Sequence, residues 1–504
     1  MSTTTKSAHR QRVVRTCTSL LVVTGVLAGF ATGVEAKPKD GGDTPPGSGK
    51  QQHDAEIEAA FATDDDGFVP VIVSLSDDSA VLPNEKERHF SAKRDEVLAS
   101  LDQARLRAVK SPDGAPFVSM HIEHDQYQVL SKLPQVADVT IDSNTSSAAT
   151  TYFGGAAGQQ LPAQWDYTRI RADWTNANGW TGRGMKVAII DSGVDRNNPY
   201  LAGRVVNEAC FATNTDGTGA CNNGATWQYA QTSSGVVGSA VWSGCTFNYY
   251  ACSHGTHVAQ TAAGSQGVAR GASIVAIRAG HKVWDAATNS FTVNFADSDI
   301  LNALWYVYAV LPKSGIVVAA VNISIGSAAT YPSTCNANTP SITEYIRKLR
   351  ADYSIPTVIA AGNNDNAFGV SWPACISYAV VVGNTTLTAS SGGVDAVFGG
   401  GSGGSNMSSL VDVLAPGTDI CSAVPTFLKA NGWDCGWFGT SMAAPQVAGA
   451  MAVLTQKRPA ATVDQLVAAL QKAGPTGGVS VTDSRGNNIT RTRINVANAI
   501  YYNI

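Results

Sequence analysis

The sequence predicts a three-layer α/β fold with a mostly parallel central sheet, preceded by a small α+β domain of the ferredoxin-like kind. Two observations carry this expectation. From about residue 165 onward, short apolar runs alternate with helical stretches, the pattern of buried parallel strands joined by crossover helices. Before residue 143, a separate strand–helix–strand–helix–strand run is closed off on both sides by loose linkers.

The elements follow in order. Residues 1–36 read as a secretion signal: Arg10, Arg12 and Arg15 supply a positive region, Leu20 to Phe30 is apolar, and Val34-Glu35-Ala36 is a small-x-small cleavage site. The apolar stretch is short for a bilayer-spanning helix, and no later run is apolar for the roughly 18 residues that spanning needs. Residues 37 to about 52 are rich in Lys, Asp, Gly and Pro and read as a linker. Phe68 to Leu75 reads as a strand and Asn84 to Arg105 as an amphipathic helix, with Phe90, Val97, Leu98 and Leu101 on one face. Phe117 to Ile122 is a second strand, Asp125 to Leu133 a short helix and Val136 to Ile141 a third strand. Residues 143 to about 160 are Ser, Thr, Ala, Gly and Gln, the composition of a protease-sensitive junction.

Beyond that junction, Lys186 to Ile190, Ser273 to Arg278, Ile316 to Ile325, Pro356 to Ala361 and Ala379 to Val382 are buried-strand candidates. Ser298 to Val310 and Val447 to Leu454 read as helices. The expected division is a signal over 1–36, a linker with a small domain over 37–150, and one large domain over 151–504.

Composition narrows the class. Of 504 residues, 44% are hydrophobic and 15% charged, enough to bury a large core and too apolar for a disordered chain. A net charge of −4 is no footprint for nucleic acid. Of nine cysteines, Cys17 falls in the signal; Cys210, Cys221, Cys245, Cys252, Cys335, Cys375, Cys421 and Cys435 all follow residue 200. An even number in an exported chain favours disulfides, and without a Cys-x-x-Cys pair a zinc knuckle is not indicated. Local pairing is expected, Cys210–Cys221, Cys245–Cys252 and Cys421–Cys435, because short loops close easily; Cys335–Cys375 is the remainder.

Three segments carry chemistry. Val187-Ala188-Ile189-Ile190-Asp191 ends a buried strand on a carboxylate, which is costly unless it is used. His254-Gly255-Thr256-His257 sets an imidazole beside a glycine that lets the backbone pass close to another group. Gly439-Thr440-Ser441-Met442-Ala443-Ala444-Pro445 places a serine at a helix N-terminus. A serine hydroxyl becomes a nucleophile when an imidazole accepts its proton, and a carboxylate fixes that imidazole's tautomer. Backbone N–H groups at a helix start can receive an oxyanion.

These three blocks, in the order Asp, His, Ser, resemble the signature blocks of the subtilisin-like serine peptidases over roughly residues 160 to 500. The resemblance implies a secreted serine endopeptidase with Asp191, His254 and Ser441 as its triad. Asn363, after Ala360-Ala361-Gly362, matches the family's oxyanion donor. Ser324, Ile325 and Gly326 match its substrate-pairing strand, and Ala361 and Gly362, with the stretch near Ser371, match the wall of the pocket before the scissile bond. The small domain resembles the family's inhibitory propeptide, implying a self-processing zymogen cut near residues 144 to 156. Partners are then protein or peptide substrates and the chain's own propeptide; a monomer is expected, and the chemistry needs no cofactor. No metal ligand is named, because the family's usual calcium site is missing its parts: Tyr200 stands where a carboxylate is usual, and Ala262 to Ala269 is too short for the ligand loop; a structural calcium site elsewhere, built on backbone carbonyls, would leave no sequence signature.

Gln260 and Gln446 depart from the family pattern, where a glycine and a histidine are frequent. His257 reads as a packed structural histidine and Asp195 as a turn cap. His121-Ile122-Glu123-His124 lacks zinc-helix spacing, Asp64-Asp65-Asp66-Gly67 lacks the alternation of a calcium loop, and Gly400 to Gly404 fits a nucleophile elbow only in letters. A catalytically dead scaffold on the same fold would lack one of the four catalytic positions, all of which are filled. A peptide ligase would alter the surroundings of the nucleophile, and Gly439 to Pro445 is ordinary.

Overall fold

A computed structural model describes residues 48–64, 66–78, 81–82, 84–147, 165–230, 238–286, 289–387, 395–397, 404–474, 479–482 and 488–501. The signal, most of the first linker, the second linker from residue 148 onward and the stretch from Gly400 to Gly403 lie outside the described residues.

The N-terminal unit runs α1 (Ser48–Thr63), β1 (Val69–Leu75), α2 (Lys86–Ala99), β2 (Arg107–Lys110), β3 (Phe117–Ile122), α3 (His124–Leu130) and β4 (Val136–Ile141). Its sheet has the order β2-β3-β1-β4, antiparallel throughout, which is the ferredoxin-like split arrangement. Phe90, Val97 and Leu101 close its core against Val71, Val73, Met120 and Val139. Three features differ from the sequence reading. Residues 48–52 are the start of α1 rather than linker; this largely polar helix is held by fully buried Ile57 and by Tyr127 Oη donating to Asp54 at 2.5 Å. The polar stretch Arg107–Lys110 is an additional strand at the sheet edge. The expected helix to Arg105 ends at Ala99, and Asp102 caps a separate 3₁₀ turn over Gln103–Arg105.

After β5 (Asn144–Ser147), the large unit begins with α4 (Trp165–Arg169) and α5 (Ala172–Ala177). Next come β6 (Lys186–Asp191), β7 (Val205–Phe211), β8 (Trp227–Tyr229), α6 (Tyr249–Ala263) and β9 (Ser273–Arg278). A hairpin, β10 (Gly280–Asp285) and β11 (Ser290–Ala296), leads into α7 (Asp297–Trp305). The chain continues through β12 (Ala320–Ile323), β13 (Ile325–Gly326), β14 (Thr330–Tyr331), α8 (Pro340–Tyr353), β15 (Thr357–Ala360), β16 (Val370–Ser371), β17 (Val380–Leu387) and β18 (Asp395–Val397). It then runs β19 (Val413–Pro416), β20 (Ile420–Ala423), β21 (Trp433–Trp437), α9 (Thr440–Lys457) and α10 (Val463–Ala473).

The large sheet has the order β18-β17-β15-β12-β6-β9-β7-β8, with β19 on β17, and is parallel except at its two outer pairs. Alternation along β6 splits the core into two layers. Val187 and Ile189 pack with α6 and α9, while Ala188 and Ile190 pack with α7 and α8. Three layers result, with the C-terminal ends of β6 and β15 opening on one edge, where parallel sheets place their sites.

A second small sheet, β10-β11-β5-β13, ties the units together. Residues 144–147, read from sequence as linker, are a strand paired on both sides. Nothing in Asn-Thr-Ser-Ser signals this, since the pairing is through the backbone.

Candidate active site

Asp191 closes β6, fully buried, and its Oδ1 lies 2.8 Å from His254 Nδ1. His254 sits early in α6, a helix that starts where Asn248 Oδ1 accepts the Ala251 N–H at 3.1 Å. The neighbouring glycine has a measurable reason. A Cβ on Gly255 would lie 2.3 Å from Gly193 O, so only glycine lets α6 close against the loop after β6. With Nδ1–H donated to the carboxylate, Nε2 is left as the proton acceptor; it has no hydrogen-bond partner among the described residues.

Ser441 lies in the first turn of α9, which packs against α6. Its Oγ donates to Ser324 O at 3.1 Å, while Ser324 Oγ donates to Ser441 O at 3.0 Å. The hydroxyl is therefore turned onto the β12–β13 edge rather than onto His254. A rotation about the serine χ1 would be required to turn the hydroxyl toward His254 Nε2.

Asn363 follows β15. Its Oδ1 accepts from the Thr440 N–H at 2.9 Å and from Thr440 Oγ1 at 2.8 Å. With the carbonyl side engaged, the Nδ2 hydrogens are left to donate. Thr440 Oγ1 also accepts the Gly362 N–H at 3.1 Å, so this threonine couples the start of α9 to the loop after β15. Sequence reasoning did not single out Thr440, although it lies inside the serine block.

Ser324, Ile325 and Gly326 lie across from Ala361 and Gly362, and the two walls meet at Ser371. A Cβ on Gly326 would be 3.1 Å from Ser371 Cβ, and one on Gly362, at φ +102°, would be 2.2 Å from Ser371 Oγ. Ser371 Oγ donates to Asn364 Oδ1 at 3.0 Å, which also accepts from Asn406 Nδ2 at 2.9 Å. Asn406 belongs to this wall, and no sequence signal in its Gly/Ser-rich surroundings could have found it.

β5 occupies the edge of this cleft. Ile325 and Gly326 pair with Ser147 and Ser146, while Asn294, Phe295 and Ala296 pair with Ser146, Thr145 and Asn144. An extended segment of the chain thus lies between two strands beside Ser441.

The remaining candidates are placed as follows. His257 stacks on Trp437 at 4.4 Å, and burial, with the neighbouring His254, pushes it down to about 3, so it is a neutral packing group. Asp195 accepts from Asn197 N at 3.1 Å and from Thr426 N at 2.9 Å, a turn cap. Gln446 Nε2 donates to Pro416 O at 2.7 Å and lies 3.3 Å from the Asp166 carboxylate. Tyr200 packs its ring on Trp433 at 4.5 Å, and α6 stops at Ala263 with an immediate turn, so no added loop stands there. His121 is in β3 and His124 starts α3; among the described residues no group of three or more His, Cys, Asp or Glu is arranged to hold a metal. The structure joins Cys210 to Cys221, Cys245 to Cys252, Cys335 to Cys375 and Cys421 to Cys435. Among the described residues no helix is long and apolar enough to cross a membrane.

Residues 182–491 match the profile of the subtilase family. A subtilisin-like protease 3 of Arthroderma otae is 27% identical over 356 residues, 70% of this chain and 67% of the relative. An alkaline protease of Alkalihalobacillus alcalophilus is 26% identical over 371 residues, covering 72% of this chain and 75% of the relative. Among solved structures, fervidolysin from Fervidobacterium pennivorans, a keratinolytic enzyme related to subtilisin, superposes with a TM-score of 0.54 at 19% identity. That match covers 86% of this chain and 61% of fervidolysin, and it bears on fold alone.

Proposed function

The chain belongs to the subtilase family of serine-type endopeptidases acting on proteins, and from that premise we propose that Asp191, His254 and Ser441 are its triad and that it is made as a secreted, self-processing zymogen. Ser441 Oγ attacks the scissile carbonyl while His254 Nε2 takes its proton, and the 2.8 Å contact from Asp191 holds the ring and stabilises the imidazolium. The tetrahedral oxyanion is received by Asn363 Nδ2 and by backbone N–H at the start of α9. His254 then returns the proton to the leaving amine, and water repeats the sequence on the acyl-enzyme. Ser324, Ile325 and Gly326 pair with the substrate main chain, and Ala361 and Gly362 wall the pocket for the residue before the cut. The chemistry needs no cofactor. A structural calcium ion of the usual family kind has no site in this reading, and the enzyme acts as a monomer.

The observation that carries the zymogen reading is β5, which lies between β11 and β13 as a substrate would. The small domain ahead of it, the propeptide in this reading (the linker and propeptide being taken as 37–150), packs on α7 and α8 through its described residues. Lys110 Nζ is 2.9 Å from the buried Asp299 carboxylate, Asp142 accepts the Ser298 N–H at 2.8 Å, and Phe117 meets Tyr345 edge-on at 6.1 Å. Cutting just past Ser147 leaves this unit bound as an inhibitor. The signal read over 1–36 and the disulfides support export of the product from the cell. The test is Ser441→Ala, purified from medium free of other proteases and weighed by mass spectrometry. The variant is expected to keep its propeptide and to hydrolyse nothing, while the wild type loses a fragment ending within a few residues of Ser147. Loss of the fragment in the variant sinks self-processing.

A further inference from the structure

The β10–β11 hairpin carries the strand that pairs with β5 outward past the cleft. Gly280, Lys282 and Trp284 stand opposite Phe295, Val293 and Phe291. Directly opposed residues of an antiparallel pair project on one face, so these six side-chain positions share a face. Its inner end is core, with Phe295 and Val293 fully buried. Its outer end is not, because Trp284 is 51% and Phe291 37% exposed. The two rings meet edge to face at 5.0 Å, Phe291 leans on Phe247 at 6.0 Å, and the Lys282 ammonium sits 3.7 Å from the centre of the Phe291 ring. Asn248 Nδ2 donates to Phe291 O at 3.3 Å and ties the hairpin to the N-cap of α6, the helix of His254. A braced aromatic pair left half in water beside a cleft is the kind of surface that a ligand covers.

Register identifies the occupant. Ser147 pairs with Ile325, and in the ladder with β11 its position follows the Asn294–Ser146 pair, opposite Val293. Ser324, one residue before Ile325, receives the Ser441 hydroxyl. A polypeptide continuing the line of β5 therefore brings the residue after the Ser147 position opposite Ser324, and the bond after that residue faces the nucleophile. The Ser147 position is then the second before the cut. A substrate side chain there shares the face of Val293 and lies diagonal to Phe291, across the roughly 7–8 Å that aromatic groups bridge.

Resting on the peptidase reading above, we propose that Phe291 and Trp284 form a recognition platform for a large apolar or aromatic side chain at the second substrate position before the scissile bond. The chain's own sequence has a serine at that position, and the two rings are partly exposed. An aromatic substrate side chain removes those rings from water and adds edge-to-face contact, whereas a small polar one does neither.

The test uses two blocked hexapeptides, identical except for phenylalanine or serine at that position. Mature wild type and the Trp284→Ser/Phe291→Ser double variant are compared, with active sites counted by a fluorophosphonate so that misfolded molecules do not enter the rate. Wild type is expected to favour the phenylalanine peptide about tenfold in kcat/KM, from the partial burial of one aromatic group, and the double variant to fall to near parity. Should the double variant fail to mature, the single change Phe291→Leu is expected to lower the ratio. Parity in the wild type, or a preference that survives the loss of both rings, overturns the platform. Failure of the wild type to label or to cut either peptide would instead refute the peptidase reading, so the two failures are distinguishable.

Discussion

Replacing Asp166 by asparagine should remove a pH-dependent weakness from the fold. Asp166 is fully buried at the start of α4, its Oδ2 lies 3.3 Å from Gln446 Nε2, and its Oδ1 has no partner among the described residues. No cation faces it. Burial, with the Asp419 carboxylate adding to it, raises the group from 3.8 to about 7. Because the folded value lies above the unfolded one, stability from the neutral acid is complete below about pH 4. It declines as pH rises between the two values and is gone above about pH 7. At 1.36 kcal/mol for each pKa step, the interval amounts to at most about 4 kcal/mol. Asparagine keeps the shape and carries no titrating proton. Denaturant unfolding in a Ser441→Ala background, which prevents self-digestion, measures both proteins at about pH 4 and about pH 9. The Asp166→Asn protein should gain on its parent by up to about 4 kcal/mol at the alkaline end and by little at the acid end. Parallel stability curves across that range would show that the carboxyl is ionised throughout or is solvated, and the argument from burial would fall.

Other expectations follow from neighbouring groups. Asn363→Ala should lower kcat about 10²–10³-fold with KM little changed, a magnitude measured for such a donor in subtilisin itself; a change confined to KM would remove Asn363 from the oxyanion site. A chelator should leave the melting temperature nearly unchanged while a reductant lowers it, Cys335–Cys375 alone contributing roughly 4 kcal/mol through its sequence separation of 40. A large fall with chelator that added calcium reverses would overturn this. His53 joins the N-terminal unit to the large unit, with Nδ1 2.9 Å from Asp138 and Nε2 2.7 Å from Ala337 O. Two acceptors on one ring favour the imidazolium, and the hydrogen bond with Asp138 leads the causes that raise its pKa. Docking is then tightest below the ordinary His value and loosens as pH rises through the raised one. In the cut complex, activity should appear faster at alkaline pH, and His53→Phe should abolish that dependence; equal lag times at both ends of the range for the wild type would refute it.

The sequence alone determined the parts of this protein whose environment is uniform. β6 and β9 are legible because strands buried on both faces read as unbroken apolar runs, and the triad candidates are legible because the chemistry restricts the residue types around each one. Short loop closure points to Cys210–Cys221, Cys245–Cys252 and Cys421–Cys435 and leaves Cys335–Cys375 as the remainder, and the structure joins these same pairs. Tertiary structure decided what depends on backbone or on distant partners. β5 is four small polar residues and becomes a strand only because β11 and β13 offer hydrogen-bonding groups on either side. α1 is largely polar, and its position rests on Ile57 and a few contacts to β4 and α3. The direction of the Ser441 hydroxyl, the bridge from Thr440 to Asn363, and the meeting of Asp166 with Gln446, 280 residues away, have no local signal. Each is set by how helices and loops stack across the sheet, and that geometry exists only after the core has closed.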